Sequence, residues 1–111
     1  MTLKLYNSTT SKKEDFKSLS PNKVSMYCCG PTVYDVPHLG NFRTFVFYDL
    51  VKRVLVQNGF EVNQVINITD IDDKIIDKVN SGEIGYKELI TKFTDIFLQH
   101  SSSLNIKEAN Q

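Results

Sequence analysis

The hydrophobic pattern of the first forty residues predicts two strands separated by a polar arm. Residues 3–6 (Leu-Lys-Leu-Tyr) alternate apolar and polar side chains, which predicts a short strand, and the polar stretch 7–17 predicts a loop or hairpin arm. Residues 24–29 are almost continuously apolar, which predicts a strand covered on both faces. Gly30, Pro31 and Pro37 then interrupt regular structure.

From about Leu39 the apolar period becomes that of a helix, which we expect to end near Asn58, with Gly59 as the residue after it. The apolar stripe is broad enough to predict burial of this helix against a sheet; it comprises Phe42, Phe45, Val46, Leu50, Val54 and Leu55, widened by Phe47, Tyr48 and Val51. Residues 61–66 predict another strand. The resulting strand–loop–helix–strand unit should be parallel and right-handed, so the sequence predicts an α/β fold.

The second half of the chain predicts two more helices. Thr69 is the expected cap of the first, with Asp72 completing a capping box, and Gly82 is expected to end it. Its predicted buried face comprises Ile71, Ile75, Ile76 and Val79. The last helix is predicted over residues 83–100, with a buried side made by Tyr86, Leu89, Ile90, Phe93 and Phe97. The polar tail that follows has no clear pattern.

Composition narrows the class of protein. A chain of 111 residues with 41% hydrophobic content suits one small domain with a real core. Thirteen basic and thirteen acidic side chains cancel, so no global field attracts nucleic acid or a membrane. The sequence shows no signal-peptide pattern and no apolar run of membrane-spanning length. Cys28 and Cys29 are adjacent and poorly placed for a mutual disulfide, which favours reduced thiols in the cytoplasm.

The loop between the second strand and the first long helix is the candidate ligand site, since ligands of open α/β sheets bind at the carboxyl ends of strands. The helix start offers free N–H groups for phosphate. His38 could donate a ring N–H to a phosphoryl oxygen, Gly40 leaves room for a flat base, and Asn41 adds a neutral amide donor. On the alternative interpretation, His38 merely caps the helix and Gly40 eases a turn.

A thiol and three carboxylates are the other candidate groups. Cys29 is either an inert small side chain or a zinc ligand. Cys28 should point to the opposite face of the strand and His100 lies on a remote predicted helix, so no complete metal site is predicted. We interpret the acidic residues Asp70, Asp72 and Asp73 as stabilising a helix start, because they lack the Gly and Glu of a calcium loop.

Several of these segments carry a family resemblance: Cys29 to Asp35, His38-Leu39-Gly40-Asn41, Arg43-Thr44, and Asn67 to Lys74. Together they resemble the cysteinyl-tRNA synthetases, a family of class I aminoacyl-tRNA synthetases. Where the class signature usually reads His-Ile-Gly-His, this chain has Asn41 in the last place, a variant known in this family. The resemblance implies a Rossmann-like, HUP-type parallel sheet with flanking helices. Residues 1–111 would be the N-terminal half of that catalytic domain, without the anticodon-binding domain or the signature loop.

The resemblance also implies roles for individual residues. Cys29 would bind a zinc ion (Zn2+) that contacts the substrate thiolate, so that serine is rejected by poor coordination. ATP, with Mg2+, would be bound by Pro37, His38, Gly40 and Asn41, of which His38 and Asn41 would act on the phosphates. The residues implied around the cysteinyl adenylate are Cys29, Gly30, Pro31, Thr32, Thr44, Asn67, Ile68 and Thr69. The implied enzyme is a cytoplasmic monomer, without membrane contact, that uses L-cysteine, ATP and tRNA(Cys).

The remaining zinc ligands of the family (a Cys, a His and a Glu) and its Lys-Met-Ser-Lys-Ser loop have no counterpart in the chain. We therefore expect a fragment that alone neither binds zinc tightly nor aminoacylates tRNA, and whose exposed apolar surface favours self-association. Two alternatives stay open. The cysteine ligase of mycothiol synthesis shares Thr-Asp-Ile-Asp-Asp but normally continues with Pro, where this chain has Lys74. A non-catalytic nucleotide-binding module would also lack those ligands.

Overall fold

Two separate two-stranded sheets and three helices make up residues 3–111, the part of the chain that the computed structural model describes. Strand β1 (Lys4–Asn7) pairs antiparallel with β2 (Lys12–Asp15), which confirms the predicted hairpin arm. Its side chains are almost all exposed, so the hairpin adds little to the core.

Strands β3 (Lys23–Cys28) and β4 (Glu61–Ile66) form a parallel pair, joined through helix α1 (Leu39–Gln57). Their register runs from Lys23 opposite Glu61 to Cys28 opposite Ile66. The predicted parallel strand–helix–strand unit is therefore confirmed, and with it the α/β class; the Rossmann-like sheet of a whole synthetase domain stays a prediction. The prediction that β3 is covered on both faces is wrong, since its residues alternate between exposed and at least partly buried. Within residues 3–111, only one face of the strand is covered.

Helix α1 begins and ends where the pattern predicts, but it is only half covered. Gly59, two residues beyond its end, has a φ of +84°, the left-handed conformation that favours glycine after a helix. Phe42, Phe45 and Leu55 are buried, whereas a second set on the same helix is at least 45% exposed: Val46, Phe47, Leu50 and Val56. The predicted burial of the whole stripe is therefore wrong within the described residues, and the predicted apolar patch is present.

Helices α2 (Asp73–Asn80) and α3 (Tyr86–Ser103) each begin later than predicted. Asp72, not Thr69, caps α2: its Oδ1 accepts a hydrogen bond from Lys74 N at 3.0 Å. Thr69 is unavailable because it extends the parallel pairing beyond β4, opposite Thr32. Helix α3 starts after Gly85, three residues beyond the predicted start, and continues past His100 to Ser103.

Two apolar clusters hold these helices together. Val33, from the loop after β3, packs with Ile75 of α2 and with Leu89 and Phe93 of α3. Phe97 of α3 stacks on Phe42 of α1, with ring centroids 5.8 Å apart, and meets Phe45 edge-on. Of the predicted core positions, Ile71, Ile76 and Tyr86 are exposed, so those three predictions are wrong.

The polar tail, for which the sequence made no prediction, runs beside β4. Ile66 N donates to Gln111 O at 3.0 Å and Gln111 N donates to Gln64 O at 3.3 Å, the pattern of a parallel ladder. Helix α1 anchors the same segment: Asp49 accepts from Lys107 N at 3.1 Å, and Arg53 donates to Asn105 O at 2.7 Å. None of the helices within residues 3–111 combines the length and the apolar character that a bilayer crossing requires.

Candidate functional site

The site begins with a change of register where β3 ends. Cys28 lies opposite Ile66, and pairing resumes with Thr32 opposite Thr69. Three residues (29–31) therefore face two (67 and 68), so the β3 side carries one extra residue, as in a β-bulge. At this point the chain turns Cys29 outward, where it is exposed, while Cys28 remains buried.

Asn67 fills the gap in the hydrogen-bond ladder. Its Oδ1 accepts from Gly30 N at 2.9 Å and from the Tyr27 hydroxyl at 3.1 Å, and its Nδ2 donates to Thr69 Oγ1 at 3.0 Å. A Cβ on residue 30 would lie 1.6 Å from the backbone oxygen of Asn67, so only glycine fits there. The side chain of Asn67 thus replaces backbone pairing at the break.

The start of α1 forms the other half of the site through a reciprocal cap. His38 Nδ1 accepts from Gly40 N at 3.0 Å, and Asn41 Oδ1 accepts from His38 N at 3.1 Å. A Cβ on Gly40 would lie 2.8 Å from a ring carbon of His38, so glycine lets the imidazole lie over the first turn. The interpretation that His38 caps the helix is therefore confirmed.

Capping leaves useful donors on both side chains. Because Nδ1 of His38 accepts a hydrogen bond, the neutral ring carries its proton on Nε2. Because Oδ1 of Asn41 is engaged, its two amide hydrogens are the groups left to donate. The cap thus fixes the orientation of a ring N–H and an amide NH2 at the positive end of a helix dipole.

Both halves line one cavity of about 430 Å³. Eight of the residues predicted for the site lie around it: Cys29, Gly30, Pro31, Thr32, Pro37, His38, Asn41 and Thr44. The same cavity is also lined by residues that were not predicted from the sequence to belong to a site, among them Tyr34, Asp35, Tyr48 and Lys74. Tyr48 could have been found from sequence, since it follows Asn41 and Thr44 by seven and four positions on one helix face.

Four of the predicted site residues do not line this cavity. Gly40 lies beneath the His38 ring, and Asn67 and Thr69 lie behind the loop that carries Cys29. Ile68 packs against both apolar clusters and lines a different cavity, beside the tail.

Cys29 has the chemistry of a zinc ligand but stands without companions. Its only polar contact within the described chain is a long one, 3.9 Å from Sγ to Gly30 O, which leaves the thiol free. Residues 3–111 contain no group of three His, Cys, Asp or Glu side chains that could hold a metal ion. His100, the other histidine, packs on the Phe42 ring and does not line the cavity. The described residues therefore offer one ligand and not a tetrahedral site.

The ionisable side chains around the cavity differ in environment. Burial raises the pKa of the Tyr48 hydroxyl above its ordinary value, and the nearby Cys28 and Cys29 thiols add to this effect. Asp35 is engaged twice: Oδ1 accepts from Val36 N at 2.8 Å, and Oδ2 lies 3.6 Å from the ammonium of Lys78. At the cavity wall, the negative charge of Asp35 is therefore compensated.

Comparison with known proteins identifies the family of the chain. The sequence model of the family described as tRNA synthetases class I (C) catalytic domain matches residues 15–111. A protein of Ligilactobacillus salivarius named cysteine–tRNA ligase is 49% identical over 107 residues, which is 96% of this chain and 23% of the relative. Relatives of the same name from Thermococcus gammatolerans and Methanococcus maripaludis are 47% and 49% identical, over 99% and 97% of this chain, and again 23% of each relative is covered. The chain thus spans about a quarter of the length of these relatives, and it belongs to the family of class I (C) tRNA synthetase catalytic domains.

Proposed function

We propose that the protein is a cysteine–tRNA ligase, which activates L-cysteine with ATP and transfers the cysteinyl group to tRNA(Cys). The observation that carries this proposal is that a free thiol and an oriented pair of hydrogen-bond donors line the same cavity. A thiol suits recognition of sulfur through a soft metal, and donors at a helix start suit phosphate. The names of the relatives support the same activity.

In the activation step, a carboxylate oxygen of cysteine attacks the α-phosphorus of ATP. The new bond forms the mixed anhydride, and the bond to the β-phosphate breaks to release pyrophosphate. Negative charge grows on the phosphoryl oxygens, and Nε2–H of His38 with the amide of Asn41 donates to them. Because the cap already fixes both side chains, little reorganisation is needed as the charge develops. No protein nucleophile is required, and a tRNA hydroxyl then displaces AMP from the anhydride.

Zinc enters the proposal through Cys29 alone. Its thiolate would be one ligand, and a zinc ion bound there would discriminate the substrate thiol from the hydroxyl of serine. The described residues do not complete that site, so we derive no step through the metal. The Rossmann-like sheet, Mg2+ with ATP, a monomeric state and a cytoplasmic location belong to the same proposal.

The test uses the full product of the gene, since residues 1–111 alone are expected to be inactive, and it measures cysteine-dependent ATP–pyrophosphate exchange and charging of tRNA(Cys). We expect both activities with cysteine and neither with serine. His38→Asn keeps a capping side chain at the start of α1 but removes the ring donor. It should lower the exchange rate by about 100-fold, the usual effect of losing one transition-state donor.

His100→Asn is the matched control, because this histidine lies outside the cavity, and it should leave the rate unchanged. Wild-type rates in His38→Asn would remove the assigned role of the ring. Absence of exchange with cysteine in the wild-type protein would contradict the ligase itself and favour a non-catalytic nucleotide-binding module. Transfer to an amino sugar instead of tRNA would favour the mycothiol-type ligase.

A further inference from the structure

Lys74 is a cation at the wall of the site with no assigned role. It is the second residue of α2 and lines the same cavity as His38 and Asn41. Among the residues of the described chain that line this cavity, it is the one lysine or arginine. Its ammonium nitrogen lies 4.8 Å from the centroid of the Tyr34 ring, another residue of the wall, so a cation–π contact holds it there.

The charge of Lys74 is not neutralised by the protein. In the part of the chain that the structure describes, no carboxylate lies within 4.0 Å of its ammonium. Asp70 stands one turn earlier and Asp77 three residues later, but neither forms an ion pair with it. The carboxylate of Asp72 is used to cap its backbone N–H. Asp35, the acidic residue of the cavity wall, is paired with Lys78 instead.

The position of Lys74 is also unfavourable for a helix. A cation in the first turn opposes the positive end of the helix dipole, where acidic residues are preferred. Lys78, in the last turn, stands where the dipole favours a cation, and it has a carboxylate partner. The two lysines of α2 therefore differ: Lys78 has a carboxylate partner and a favourable place in the helix dipole, and Lys74 has neither.

We propose that Lys74 binds a phosphate group of ATP from the side of the cavity formed by α2, while the start of α1 binds it through His38 and Asn41. This inference rests on the proposed function and adds a residue to it. The cavity wall carries one compensated negative charge and one uncompensated positive charge, which favours an anionic ligand. An ammonium supplies the charge that two neutral side chains at the α1 start do not.

The test compares Lys74→Met with Lys87→Met in the full product of the gene, because Lys87 is exposed on α3 and does not line the cavity. Both replacements keep an unbranched side chain and remove one charge from the second residue of a helix. We expect Lys74→Met to weaken ATP binding, measured by isothermal titration calorimetry, and to raise the KM for ATP in pyrophosphate exchange, each by about tenfold, the effect of one charged hydrogen bond. The KM for cysteine should not change, Lys74→Arg should restore most of the affinity, and Lys87→Met should bind ATP as the wild type does.

Three outcomes would overturn the inference. Equal ATP affinity in Lys74→Met and Lys87→Met would show that the charge of Lys74 is not used. A raised KM for cysteine with an unchanged KM for ATP would assign the ammonium to the substrate carboxylate. Loss of affinity in Lys74→Met for adenosine as well as for ATP would indicate altered packing, since adenosine has no phosphate. If the wild-type protein shows no cysteine-dependent exchange and no ATP binding, the proposed function fails first and the role of Lys74 fails with it.

Discussion

Replacing Asn67 with alanine should loosen the register change that turns Cys29 outward. The replacement removes three hydrogen bonds at once, to Gly30 N, to the Tyr27 hydroxyl and to Thr69 Oγ1. Gly30 N is partly buried, and an unsatisfied buried donor costs about 1–3 kcal/mol. Tyr27 is 71% exposed, so water can replace its partner at little cost. We therefore expect a loss of about 2 kcal/mol in the free energy of unfolding of this segment.

Amide hydrogen exchange measures this effect where it arises. The Gly30 amide should exchange about 30-fold faster in Asn67→Ala, since each 1.4 kcal/mol corresponds to a factor of ten. Asn67→Asp keeps the acceptor for Gly30 N and loses only the donor to Thr69, so it should cost less. Asn63→Ala is the matched control, because Asn63 is exposed on β4, the strand that ends just before Asn67. If the Gly30 amide exchanges at the same rate in Asn67→Ala and Asn63→Ala, the side chain of Asn67 does not stabilise the register change after β3, and the reasoning is refuted.

Two further predictions concern the thiols and the partly buried Tyr48 of the site. Iodoacetamide should alkylate the folded protein at Cys29 and spare Cys28, because Cys28 is only 3% exposed. Mass spectrometry of the peptide that carries both residues should therefore find one adduct, and equal labelling of the two thiols would contradict the burial of Cys28. Burial raises the pKa of the Tyr48 hydroxyl in the folded protein above its value in the unfolded chain, which is about 10. The free energy of unfolding that this shift contributes is therefore fully present below the unfolded pKa, and it is lost as pH rises through the folded pKa. Tyr48→Phe should therefore reduce the alkaline fall in urea stability, whereas Tyr6→Phe, at an exposed position, should not; parallel pH profiles for the two variants would refute this linkage.

The sequence was sufficient for the elements with strong periodicity. The bounds of α1 follow from its apolar repeat and from Gly59, and the parallel pairing of β3 with β4 follows from the helix between them. Burial was predicted less well. A broad apolar stripe shows which face of a helix can be buried, but it does not show whether another element of the chain packs against that face. Phe47 and Leu50 show this: both belong to the stripe, and both remain more than half exposed.

The candidate site was predictable in its residue types and not in its geometry. His38 and Asn41 could be chosen from the helix start, but the reciprocal cap that leaves Nε2–H and the amide free needed coordinates. Threonine is a residue type that favours helix caps, but Thr69 pairs with Thr32 across the sheet, and this long-range pairing overrides the local preference. Lys74 ends one of the segments that carry the family resemblance, but no role follows from its sequence position, and only the fold brings α2 to the cavity wall.

The extra residue after β3 makes the length of this segment as important as the identity of its residues. Residues 24, 26 and 28 turn toward the covered face of the strand, whereas beyond the bulge the buried positions are 31 and 33. Side chains of an extended chain alternate between faces, so one added residue exchanges the two sets. Losing a single residue between Cys28 and Thr32 would place two residues opposite Asn67 and Ile68, which would remove the bulge and return position 29 to regular pairing while Thr32 stayed opposite Thr69. Among functional relatives, substitutions here at positions other than 29 and 30 should therefore be tolerated far better than single-residue insertions or deletions.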